Sequence, residues 1–84
     1  MLSNNFKPEE VMAVDLHNMK GWEAWLYLDK VISSVPDGIK EIVIIHGYHR
    51  GQALLNMVRE NYRNEKVKKK FLSLNQGVTN FILE

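Results

Sequence analysis

Four consecutive β-branched residues, Ile42-Val43-Ile44-Ile45, leave the middle of this chain little choice of structure. Side chains branched at Cβ are stiff in a helix and fit a pleated strand. The run lacks the alternation of a strand with one wet face. It therefore reads as a strand buried on both faces, central in its sheet, with a parallel neighbour. Such a neighbour needs a crossover connection, and the residues upstream supply one. Val11 to His17 reads as the first strand, with Met12, Val14 and Leu16 on one face and Ala13, Asp15 and His17 on the other. Asn18 to Gly21 turns the chain. Trp22 to Val35 then places Ala24, Leu28, Val31, Ile32 and Val35 in one helical stripe, ended by Pro36-Asp37-Gly38.

After Glu41 to His46, Gly47 to Gly51 forms a short glycine-bounded loop. Gln52 to Arg63 reads as a second helix with Ala53, Leu54, Met57, Val58 and Tyr62 facing inward. Val67 to Leu74 and Val78 to Leu83 read as two final strands. Asn75-Gln76-Gly77 joins them as a three-residue hairpin loop whose glycine supplies positive φ. The order β-α-β-α-β-β predicts an α/β fold: an α+β two-layer sandwich with a mixed four-stranded sheet, two helices and a right-handed first crossover. Residues 1–10, broken at Lys7-Pro8, are expected to form an N-terminal arm, and residues 11–84 a single domain.

Composition removes several function classes. A chain of 84 residues, 45% hydrophobic and 25% charged, suits one folded domain. With no cysteine it is not a disulfide scaffold, a zinc finger, an iron–sulfur protein or a thiol enzyme. No apolar run approaches the length of a membrane span, and the start, MLSNNFKPEE, lacks the apolar stretch of a signal peptide, so the expected location is the cytoplasm. The net charge of +1 exerts no strong pull on nucleic acid. Its distribution is uneven: residues 1–41 hold four basic and seven acidic side chains, residues 42–84 seven basic and three acidic. The basic half includes Arg50, Arg59, Arg63, Lys66, Lys68, Lys69 and Lys70. That cluster is either a solvated face or a phosphate contact, with Lys68 and Lys70 as candidates for the latter.

Ligands gather beyond the carboxyl ends of parallel strands, and both such ends here carry chemistry. The first ends in Asp15-Leu16-His17, whose spacing of two puts carboxylate and imidazole on one face. The second ends in His46, so Asp15, His17 and His46 converge at one sheet edge. The loop Gly47-Tyr48-His49-Arg50-Gly51 runs straight into a helix, where free N–H groups favour an anion and Arg50 could pair with a phosphate. Two plainer readings stand beside this one. Asp15 and His17 could form a hydrogen-bonded pair that only caps a turn, and His46 could be a satisfied strand-end histidine.

With these residues in place, the chain resembles the small MutS-related (Smr) domain family. Asp15-Leu16-His17, the helix after it, Ile44-Ile45-His46-Gly47 with Gly51 before a second helix, and the closing Gly77-Val78-Thr79 carry the resemblance. It extends from about Val11 to Leu83. Asn18 and His49 stand where the family's motifs usually have glycine. The resemblance implies a βαβαββ sandwich like the C-terminal domain of bacterial translation initiation factor three, and a role in nicking or cleaving DNA or RNA.

On this reading His17 is the base or acid, oriented by Asp15, with His46, Arg50 and the loop N–H groups on the phosphate. Tyr48 could stack on a base. The residues single out no cofactor; a divalent metal, Mg or Mn, could take part, and His49 could join Asp15, His17 and His46 in a metal cluster. The alternatives are a catalytically inactive RNA- or ribosome-binding module, or a protein-interaction domain using Trp22 and Tyr27, as a homodimer.

Overall fold

The computed structural model describes residues 6–48 and 52–83. Pro8–Glu10 forms a 3₁₀ turn, tied to the domain by Lys40 N–H donating to Glu10 O at 2.8 Å. Four strands follow in the expected order: β1 Val11–Asp15, β2 Glu41–Ile45, β3 Lys69–Leu72 and β4 Val78–Ile82. In space they run β1-β2-β4-β3. β2 pairs parallel with β1 and antiparallel with β4, which pairs antiparallel with β3. The β-branched run is thus central, with a parallel neighbour. Helix α1 is Gly21–Ser33. Helix α2, Ala53–Asn56, continues as a π-helical turn over Met57–Asn61, closed by Tyr62 N–H donating to Met57 O at 2.7 Å. Among the described residues no helix is long and apolar enough to cross a membrane.

The core fills the space between the helices and one sheet face. Val14, Leu16, Ile42, Ile44 and Phe81 from the strands meet Ala24, Leu28, Ile32, Met57, Val58 and Tyr62 from the helical segments and the residue that follows them. Tyr62 stacks on Phe81 with ring centroids 6.0 Å apart, and Trp25 meets the Tyr62 edge at 5.5 Å. Such aromatic pairs add about 0.5–1.5 kcal/mol each beyond the area they bury. The Tyr62 hydroxyl donates to Asp29 Oδ1 at 2.8 Å, which ties α1 to the end of the π-helical turn.

Four local expectations need correction. β2 is not dry on both faces: Val43 is half-buried and Ile45 exposed, because both helices cover the same side of the sheet. On the other side the buried polar residues Glu41 and Asn80 pair, Asn80 Nδ2 donating to Glu41 Oε2 at 2.5 Å. Gly77 has no positive φ, and the β3–β4 connection is longer than three residues. Asn75 Oδ1 accepts the Gly77 N–H at 2.8 Å and builds the turn instead. Ala53 is exposed rather than in the core, since it stands at the opening of α2. Trp22 and Tyr27 are 68% and 44% exposed. They do not share a patch, because five helical steps separate them by about 140°. Trp22 shares its face with Leu26 and Trp25, both partly exposed.

Candidate functional site

The parallel pairing of β1 and β2 brings their carboxyl ends together. Leu16 N–H continues the ladder by donating to Ile45 O at 2.7 Å, and Leu16 is fully buried, which fixes its neighbours outward. Asp15 and His17, flanking Leu16, therefore share the open side, each more than half exposed. Asp15 Oδ1 accepts the His17 backbone N–H at 3.0 Å and lies 2.5 Å from His17 Nδ1. A carboxylate only accepts, so the proton sits on Nδ1. In the neutral ring Nε2 then keeps its lone pair, and it has no partner among the described residues. The His17 ring bond, then the backbone N–H, holds the Asp15 carboxyl below the usual carboxylate range. Asn18 turns the chain at φ 70°, a left-handed conformation that asparagine tolerates better than most residues.

His46 takes a different position. It continues the inward-facing set Ile42 and Ile44 and is 3% exposed. Both ring nitrogens are bonded within the protein: Nδ1 to Gly47 O at 2.9 Å and Nε2 to Thr79 Oγ1 at 2.8 Å. Burial pushes its pKa below the ordinary histidine value, and the nearby Arg59 charge adds to the push against the Gly47 bond. Gly47 follows at φ 73°. Its N–H and that of His46 both donate to Gly77 O, each at 2.9 Å. The Gly47 amide is thus committed inside the protein, and Gly47 contributes the corner that starts the loop.

A cleft of about 790 Å³ opens between these strand ends and the two helix starts. His17, Asn18, Met19, Lys20 and Gly21 line one side, His46, Gly47 and Tyr48 its base, and Ala53 and Leu54 the other side. Tyr48 is partly exposed there. His49, Arg50 and Gly51 lie outside the described residues. Lys20 was absent from the sequence-based set, although its place between the Asn18 turn and the apolar stripe of α1 was a usable signal.

Lys68 and Lys70 stand away from the cleft, in a smaller groove of about 260 Å³ with Arg59, Arg63 and Lys69. Lys70 Nζ is half-buried and donates to Val58 O and Tyr62 O, both at 2.8 Å, so it caps the carbonyl end of the π-helical turn. Burial, followed by the charge of Arg63, lowers its pKa. Lys68 Nζ donates to Glu65 O at 3.1 Å. The four-lysine cluster is partly a set of backbone caps.

Among the described residues no three His, Cys, Asp or Glu side chains stand close enough together to share a metal ion. Asp15 and His17 bond each other, and both His46 nitrogens are occupied. The described side chains thus form no cage of three or more such ligands. The position of His49 in such a cluster falls outside the described residues.

The sequence model of the Smr domain matches residues 14–80. The crystal structure of the Smr domain of Thermus thermophilus MutS2 is similar with a TM-score of 0.76 and 25% identity, covering 87% of this chain and 98% of that one. A comparison with curated proteins returned no match. Sequence and fold comparisons thus converge on one kind of domain.

Proposed function

The chain belongs to the Smr domain family, and on that premise we propose that its cleft binds the backbone of RNA and that Asp15 and His17 cut it by transesterification. The observation that carries this reading is the Asp15–His17 pair at the rim of the cleft, with Nδ1 anchored and Nε2 unbonded. His17 Nε2 takes the proton of a ribose 2′-hydroxyl, and that oxygen bonds to phosphorus. The P–O5′ bond breaks, and the leaving 5′-oxygen takes a proton from water. The products are a 2′,3′-cyclic phosphate and a 5′-hydroxyl.

RNA suits this machinery because it carries its own nucleophile. A well-oriented intramolecular group acts at an effective concentration of about 10⁵–10⁸ M. One imidazole–carboxylate base then suffices, whereas DNA would require an activated water in addition. Asp15 keeps the His17 ring in the tautomer that accepts at Nε2 and stabilises the imidazolium once the proton arrives. Lys20 balances charge that develops on the phosphate. Tyr48 offers a face for a base, and Arg50, with the backbone of residues 49–51, completes the phosphate contact. Gly47 supplies the corner, and His46 acts from beneath it.

The test uses end-labelled single-stranded RNA and supercoiled plasmid, in EDTA and in Mg²⁺ or Mn²⁺, beside Asp15→Ala and His17→Ala variants. RNA should be cut in EDTA to cyclic-phosphate ends, and loss of a general base should slow the cut by about 10²–10⁴-fold. Unchanged cleavage by His17→Ala would overturn the assignment. A second reading, an inactive RNA- or ribosome-binding module, draws support from the same bonding. With both His46 nitrogens occupied, His17 is the one imidazole on the cleft, among the described residues, able to exchange a proton. A mobility shift without cleavage would favour that reading.

A further inference from the structure

His46 lies under the cleft with each ring nitrogen in a bond whose direction can be worked out. Gly47 O is a carbonyl and only accepts, so His46 Nδ1, 2.9 Å away, carries the proton. Arg59 Nε only donates, and it lies 2.7 Å from Thr79 Oγ1. Thr79 Oγ1 is also 2.8 Å from His46 Nε2. In the neutral ring Nε2 is the acceptor, so the Thr79 hydroxyl gives its one proton to His46 and receives the Arg59 N–H on a lone pair. The chain of bonds therefore has a single sense: Arg59 Nε–H to Thr79, Thr79 O–H to His46 Nε2, His46 Nδ1–H to Gly47 O. Burial and the Arg59 charge both resist protonation of the ring, which keeps this sense near neutral pH.

The brace is anchored at both ends. Arg59 sits in the π-helical turn Met57–Asn61, and π turns are frequent at functional sites because they re-aim side chains that a regular helix would place elsewhere. Its Nη2 also donates to Val78 O at 2.8 Å, so the guanidinium grips β4 twice. At the far end, Gly47 adopts φ 73° and is held on its amide side by Gly77 O. Arg59 and Thr79 do not line the cleft.

We infer that Arg59 and Thr79 are positioning residues for the cleft: they fix the Nδ1–H form of His46, and His46 fixes the left-handed Gly47 corner at the base of the cleft. Its consequence for binding rests on the RNA reading above, whereas its structural content does not.

The experiment has two arms. Long-range ¹H–¹⁵N spectra at pH 7.5 read the His46 tautomer and the Gly47 amide in the wild type, Thr79→Val, Thr79→Ser and Arg59→Lys proteins. Titration with a fluorescently labelled single-stranded RNA reads affinity in the same four. The wild type should show a protonated Nδ1 and a bare Nε2. Thr79→Val should shift the Gly47 amide, lose the single tautomer and weaken RNA binding at least ten-fold, and Thr79→Ser should restore all three. A wild-type His46 protonated on Nε2 overturns the inference without any variant. A Thr79→Val protein with unchanged Gly47 amide and affinity also overturns it, and if Thr79→Val does not fold, an unchanged Arg59→Lys protein does so. If the wild type binds no RNA, the RNA reading falls and the spectra alone decide the brace.

Discussion

Gly77→Ala tests the packing on which the cleft depends. Gly77 does not have a positive φ, so its backbone alone does not demand glycine. An added Cβ would lie 3.3 Å from Gly47 Cα, 3.6 Å from Gly47 N and 3.3 Å from Asn75 Oδ1. The Asn75 side chain can swing away, at the loss of its bond to the Gly77 N–H. The Gly47 backbone has no such freedom, because its amide and that of His46 are both held by Gly77 O. Overpacking of this kind costs about 1–3 kcal/mol. The alanine returns about 0.4–1 kcal/mol by restricting the unfolded chain. The net expectation is a loss of up to about 2.5 kcal/mol, centred near 1, read as a lower urea midpoint at unchanged m-value. The His46 and Gly47 amide signals should move with it. A stabilised Gly77→Ala protein would refute the reasoning, since that is how an ordinary loop glycine behaves.

Two further expectations are simpler. Asn18 holds φ 70°, so Asn18→Ala should cost about 1 kcal/mol in urea unfolding, while Asn18→Gly should stay within about 0.5 kcal/mol; equal effects would exclude the backbone as the cause. His46 has its folded pKa depressed by burial, so the unfolded chain binds more protons in the window that begins at the ordinary value of 6.5 and runs downward. Stability should therefore fall as pH drops from 7.5 through 6.5 toward the depressed folded value, and His46→Gln should flatten that slope in urea titrations between pH 7.5 and 5. The Asp15 contribution has the same sign but lies lower, because its folded pKa is depressed below the ordinary carboxylate value of 3.8.

The fold was largely legible because it rests on local pattern. Two helical stripes, a β-branched run and turn residues at the right intervals specified the order of elements, and the run Ile42 to Ile45 did lie at the centre of the sheet. The Asp15–His17 pair was legible for the same reason, since a spacing of two on a strand is a local fact. What escaped depends on contacts across the chain. Gly77 looked like a turn glycine, yet its limit is set by Gly47, thirty residues earlier. His46 read either as a site residue at the strand end or as a satisfied histidine; its parity with Ile42 and Ile44 pointed inward, but its partner Thr79 lies 33 residues away. Lys70 read as part of a solvated face or as a phosphate contact, but alternation along β3 turns it toward the carbonyls of the π-helical turn. Arg59 was legible only as one of the basic residues and Thr79 only as part of the closing Gly77-Val78-Thr79 motif, because their meeting at His46 is a contact between distant segments.

The position of β4 also has a consequence for the order in which the domain can be made. It is the last strand in sequence, yet it sits inside the sheet between β2 and β3; it carries Thr79, and Gly77 immediately precedes it. A chain that has emerged only as far as β3 already contains Asp15, His17 and every described wall of the cleft. It lacks the carbonyl and hydroxyl that hold His46 and Gly47 in place. During synthesis the Asp15–His17 pair is thus present early, while the contacts that hold His46 and Gly47 arrive only with the final strand, so a chain that ends before Thr79 lacks the braced corner.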